Sequence, residues 1–99
     1  MCYDLVVPYS VKTTRKLERV VKGFANHRRI EILMLLEKEP ELSVTEIAER
    51  LNINLKTASE HIRRLAIPGL VLKRNQGNAV RHAPSIVGAS ILKFLRTLE

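Results

Sequence analysis

Apolar residues return along most of the chain with the spacing of a helix face. Leu17, Val20, Val21, Phe24 and Ala25 stand at i, i+3, i+4, i+7 and i+8, which predicts an amphipathic helix with Thr13 or Thr14 as its N-cap. Gly23 weakens it slightly. Asn26 is placed to cap a second helix, whose segment IEILMLL is apolar on more than one face and is expected to be largely buried until Pro40 ends it. Val44, Ile47, Ala48 and Leu51 mark a third helix, with Ser43 or Thr45 as cap and the Ser43 to Glu46 spacing of a capping box. Only the three residues Asn52 to Asn54 separate it from Leu55, Ala58, Ile62 and Leu65, the apolar side of a fourth helix capped by Asn54 and stopped before Pro68. Two helices joined by so short a turn are the sequence form of a helix-turn-helix.

After Gly69 the pattern changes. The short runs LVLKR and AVRHA flank an Asn/Gly-rich turn, NQGN, which predicts a β-hairpin with Gly77 at a left-handed position. Pro84 and Ser85 open a last helix, whose stripe Val87, Ile91, Phe94, Leu95 and Leu98 is too long to vanish into a small core. The expected fold is mainly α with a small β-hairpin: a winged helix-turn-helix of about five helices plus a two-stranded wing. Residues 13–99 are read as its DNA-binding and dimerisation domain, and residues 1–12, where Pro8 interrupts a short apolar run, as an N-terminal arm.

Composition sharpens this reading. The 99 residues suit one compact domain, and an apolar content of 45% in so short a chain points to subunit contacts. A homodimer is expected, with Leu17, Val21 and Phe24 of the first helix and Val87, Ile91, Phe94, Leu95 and Leu98 of the last forming the interface. The formal charge of +7 and pI near 10.1 favour polyanionic partners, nucleic acid first among them. Residues 66–99 hold Lys73, Arg74, Arg81, Lys93 and Arg96 against Glu99 alone, a balance of +4. The single cysteine, Cys2, has no intramolecular partner and gives no sign of an oxidising compartment. No signal-peptide pattern and no apolar run of about 20 residues is present, so the expected location is cytoplasmic, without a membrane partner.

The middle of the chain resembles the ArsR/SmtB-type family of small winged-helix repressors. ANHRRIEILMLL, residues 25–36, is similar to that family's A-D-P-T-R-x-x-I-L-x-L-L opening. LSVTEIAERLNINLKTASEHIRRL, from Leu42, follows its L-x-x-x-E-L-A-x-x-L-x-x-S-x-x-T-V-S-x-H-L-x-x-L pattern, and PGLVLKRNQGNAV resembles its wing. The resemblance covers roughly residues 15–98. Metal-sensing members carry an L-C-V-C-D-L motif, and Ser43 and Thr45 stand at its cysteine positions. The last helix has no histidine and no acid before Glu99, so neither a metal site nor a cofactor is expected. His61 matches the family's histidine, and a packed or capping role is expected for it rather than ligation or pH sensing; His27 replaces a common proline and His82 falls on the wing, and no metal site is expected from them.

The resemblance implies DNA-facing residues at Lys56, Ser59 and Glu60, and the helical wheel adds Thr57 and Arg63 beside the cap Asn54. Lys56 is suited to guanine O6/N7 and Glu60 to cytosine N4, although both residues also have the i, i+4 spacing of plain surface ion pairs. Leu55 stands where the family often has a polar residue. Lys73, Arg74, Asn75 and Arg81 on the wing suit the phosphate backbone or minor groove, or else form a solvated hairpin edge. The expected function is a sequence-specific regulator, a repressor, that binds a pseudo-palindromic double-stranded DNA operator as a homodimer. No catalytic constellation is present, so no enzymatic activity is expected, and nothing names an effector. The rival readings are a winged-helix protein-interaction module and a sequence-neutral nucleic-acid binder.

Overall fold

The structure is a computed structural model that describes the backbone from Val11 to Glu99 and the side chains from Thr13 onward. Seven elements follow in order: α1 (Val11–Phe24), α2 (His27–Lys38), α3 (Val44–Leu51), α4 (Leu55–Ala66), β1 (Val71–Gln76), β2 (Ala79–Pro84) and α5 (Ile86–Arg96). The helix boundaries are set by local chemistry. Asn26, Ser43, Asn54 and Ser85 each turn a side-chain oxygen onto backbone N–H groups of the first turn that follows, and Ser43 and Glu46 form the reciprocal capping box. Asn52 ends α3 in the left-handed region at φ 55°, a conformation that asparagine tolerates, so the chain reverses into α4 within three residues.

Two boundaries differ from the sequence expectation. Helix α1 starts at Val11, so Thr13 and Thr14 lie inside its first turn rather than capping it. The arm expected over residues 1–12, with Cys2 and Pro8, lies outside the described residues apart from the first two helical positions. The hairpin is also tighter than NQGN suggests: β1 and β2 pair antiparallel from Val71↔Pro84 to Gln76↔Ala79, leaving Gly77 and Asn78 as a two-residue turn with Gly77 at φ 61°.

The core gathers one face from nearly every element. Ile32, Leu33 and Leu36 of α2 are fully buried with Ile47 of α3, Leu65 of α4 and Leu70, and Phe24, Ile62, Val71 and Leu92 close around them. As its sequence implies, α2 is the central helix, although Met34 on its outer side remains 41% exposed. Helix α5 packs where Gly88 meets the backbone of Leu70: a Cβ at that glycine would lie 2.2 Å from the Leu70 carbonyl oxygen. Gly23 has the same kind of reason, since a Cβ there would stand 2.6 Å from Pro68 Cγ.

Candidate nucleic-acid interface

Helix α4 is two-sided. Ala58, Ile62 and Leu65 have relative exposures of 0%, 2% and 0% and fix the helix to the core, while Lys56, Thr57, Ser59 and Arg63 are exposed on its other side. The Asn54 Oδ1 accepts from the backbone N–H of Lys56 at 2.7 Å and of Thr57 at 3.4 Å. That bond commits the carbonyl oxygen to the cap and leaves the Asn54 NH2 group for any other partner. Leu55, expected on the anchoring side, is 51% exposed instead. At the first helical position it projects past the core and lines an open groove of about 640 Å³ between α3 and α4, together with Val44, Lys56, Ser59 and Glu60.

Glu60 is the one acid on this face, and it is neutralised by its own helix. Its carboxylate accepts from Arg63 Nη2 at 2.7 Å and from Arg64 Nε at 3.0 Å. The bond from Arg63, and then that from Arg64, hold the Glu60 carboxyl below the usual carboxylate range, while Glu60 raises the Arg63 guanidinium. The i, i+4 pair with Arg64 forms as the spacing allows. Lys56 makes no ion pair among the described residues and stays available.

On the wing the four candidate residues divide into two pairs. Arg74 binds Glu41 in the segment between α2 and α3, and Arg81 donates to Glu46 Oε1 at 3.0 Å and to Gln76 Oε1 at 3.2 Å. Lys73 and Asn75 are exposed and make no side-chain hydrogen bond or ion pair among the described residues. Glu46 thus serves both the capping box of α3 and the base of the wing. Its carboxyl is held low chiefly by the Ser43 backbone N–H and then by the Ser43 hydroxyl, with Arg81 a lesser contributor.

Two histidines have structural partners that the sequence did not disclose. His82 is only 4% exposed, and its Nδ1 lies 2.9 Å from the Leu42 carbonyl, which also accepts from the His82 backbone N–H at 3.0 Å. Together they form an isolated bridge, Leu42↔His82, that ties the wing to the start of the helix-turn-helix. No local pattern separates His82 from Arg81 beside it, so only tertiary contact reveals this role. His61 Nδ1 lies 3.5 Å from Arg29 Nη1, a contact in which the guanidinium can only donate. Burial, and then the Arg29 charge, lower the His61 pKa. Among the described residues no three His, Cys, Asp or Glu side chains converge as metal ligands, and no helix is long and apolar enough to cross a membrane.

A helix-turn-helix followed directly by a two-stranded hairpin defines the winged helix-turn-helix class. The profile of the family described as bacterial regulatory protein, arsR family, matches residues 26–73, from the cap of α2 to the third residue of β1. The transcriptional activator HlyU of Vibrio cholerae is 36% identical over 69 residues, which are 70% of this chain and 63% of that protein. Its solved structure superposes with a TM-score of 0.77 at 31% identity, over 90% of this chain and 97% of that one. The HTH-type transcriptional regulator Rv0324 of Mycobacterium tuberculosis is 42% identical over 84 residues, 85% of this chain but 36% of the longer protein. The homodimeric winged helix-turn-helix DNA-binding domain Mb0332 of Mycobacterium bovis, solved by NMR, superposes with a TM-score of 0.80 at 29% identity, over 94% of this chain and 89% of that one. The chain belongs to the ArsR family of winged helix-turn-helix regulators.

Proposed function

We propose that the protein is a homodimeric transcriptional regulator that binds a pseudo-palindromic double-stranded DNA operator, with α4 in the major groove and the wing against the adjoining backbone. The observation that carries this reading is the division of α4 into a buried anchor, Ala58, Ile62 and Leu65, and an exposed face carrying Lys56, Thr57, Ser59 and Arg63. A major groove roughly 12 Å wide admits one such helix, and its N-terminal residues then meet base edges. Here those residues are Asn54, Lys56 and Thr57, with Ser59, Glu60 and Arg63 following. Lys73 and Asn75 are the wing residues without a side-chain partner among the described residues, Arg74 is paired with Glu41 only between exposed side chains and remains able to turn to phosphate, and Arg81 is braced against Glu46.

Dimerisation is supported by the exposed apolar side chains of α1 and α5, Leu17, Val21, Val87, Phe94 and Leu98, and by the homodimeric mycobacterial relative. Two-fold symmetry then sets the half-sites about 34 Å apart, one turn of the duplex. Occupation of a promoter by such a dimer represses by occlusion, and a promoter-reporter assay with and without the protein reads the sign. The reading as a whole is tested by selecting random duplex DNA on the purified protein at near-physiological salt and sequencing what is retained. An enriched inverted repeat with turn-spaced half-sites is expected. Retention without enrichment makes the protein a charge-driven binder, and no retention makes the winged helix an interaction module.

A further inference from the structure

A second basic surface lies beside the recognition face and is not part of it. Arg19, Lys22 and Gly23 of α1, Arg64 of α4, and Ile67 and Pro68 after it line a shallow groove of about 330 Å³ that contains three cations and no acid. The groove exists because α1 and the end of α4 touch at Gly23, where only a hydrogen fits against Pro68. Arg29 secures the junction from α2, donating to the Lys22 carbonyl at 3.4 Å and reaching His61 of α4 with its other terminal nitrogen. Arg19 has no ion-pair partner among the described residues, and the Lys22 pair with Glu18 at 3.1 Å is between exposed side chains and is weak.

The groove is continuous with the face of α4. Glu60 accepts from both Arg63 and Arg64, so Arg64 joins the face of Lys56 and Ser59 to the groove of Arg19 and Lys22. Along the helix Arg64 lies about 12 Å from Lys56 and is turned about 80° from it. The turn carries Arg64 off the side of α4 that holds Lys56, toward the edge of any groove the helix occupies. Arg15, Arg19 and Lys22 stand at i, i+4 and i+7 on α1, on the side away from Leu17 and Val21, so covering the apolar stripe leaves this cationic stripe open.

We propose that Arg19 and Lys22 of α1, together with Arg64, form a sequence-neutral phosphate clamp that grips the duplex backbone flanking the recognition helix. The clamp deepens the proposed DNA-binding function and rests on it. It supplies affinity and orientation, whereas α4 supplies selectivity.

The test compares the full chain with its Arg19→Ala/Lys22→Ala variant, measuring affinity against salt on the selected duplex and on a scrambled duplex of equal length. Both residues are exposed, so the variant is expected to fold, and equal thermal unfolding midpoints check this. With about 0.9 counterion-slope unit per phosphate contact, the clamp predicts a slope smaller by about 1.8 per protomer on both duplexes and an unchanged ratio of their affinities. The charge-retaining Arg19→Lys/Lys22→Arg variant restores the slope. A slope equal to that of the unaltered chain overturns the clamp, even where the groove takes a small anion instead. Failure of base reading is a separate result: the two duplexes then bind equally, and the slope difference still decides the clamp.

Discussion

Burial of the His82 ring under the wing gives its titration a definite consequence for stability. The buried site favours the neutral imidazole, the Leu42 carbonyl opposes this by its hydrogen bond, and Lys73 adds to the depression, so the folded pKa lies below the usual value. The unfolded chain then takes up its proton first, near pH 6.5. Stability is complete above that pH and is lost as pH falls through the unfolded value toward the folded one, with a slope of at most about 1.4 kcal/mol per pH unit for each such group. His61 acts in the same direction, through burial first and Arg29 second. Urea unfolding from pH 7.5 to 5.0 should show this acid limb, and His82→Gln should make it shallower. At the same scale, Lys56→Ala should cost about 1–3 kcal/mol at the enriched site and relax selectivity at one base position, read by repeating the selection. Equal loss on every sequence would assign Lys56 to phosphate instead. The sequence disclosed the caps Asn26, Ser43 and Asn54 because capping depends on neighbours two or three residues away. It did not disclose the partners of His82 and Arg29, which lie 40 and 32 positions distant.

Among the elements, α5 and the wing are placed by contacts that helical periodicity does not record. Glycine inside an exposed helix normally costs about 1 kcal/mol relative to alanine. At Gly88 the sign should reverse, because a methyl group would meet the Leu70 carbonyl oxygen, which is backbone and cannot swing aside. Gly88→Ala should therefore destabilise by about 1–3 kcal/mol, as overpacking does, measured by chemical denaturation. Raised stability would show that α5 shifts freely over Leu70. The wing poses a different question, since its sequence shows three cations and not which of them are occupied. Arg81 braces β2 against α3 through Glu46, and its side chain is 29% exposed. Arg81→Ala should then leave the salt slope of DNA binding unchanged and cost under about 1 kcal/mol of stability, whereas Lys73→Ala should lower the slope by about 0.9. Salt titrations of the two variants on one duplex separate the brace from the contact. The hairpin itself was legible from Gly77 and the flanking runs, but its anchorage through Glu41, Leu42 and Glu46 arises only when the chain folds back on itself.

For the whole molecule, the apolar stripes foreseen on α1 and α5 divide into two sets. Phe24 is 9% exposed and belongs to the core of its own chain, while Ile91 and Leu95 pack against that core from its edge. Leu17, Val21, Val87, Phe94 and Leu98 remain between 46% and 66% exposed, and Ile86 reaches 87%. Periodicity alone cannot make this division, because a stripe that faces the core and one that faces a partner have the same spacing. So many large apolar side chains exposed on two helices of one small chain are solvated poorly by water, and a second copy would cover both stripes by a two-fold operation. Leu17→Glu and Phe94→Glu together should convert the proposed dimer to a monomer without unfolding the chain, since neither residue lies in the core cluster. Sedimentation equilibrium reads the mass, and unchanged helical circular dichroism confirms the fold. Loss of the second subunit removes the effective concentration that joins two half-sites, so affinity for the inverted repeat should drop by about 100-fold or more while binding to a lone half-site persists. A variant that stays dimeric would move the interface away from these stripes. A monomer that kept full affinity for the repeat would instead leave dimerisation in place as a reading of the surface and remove it from the account of recognition.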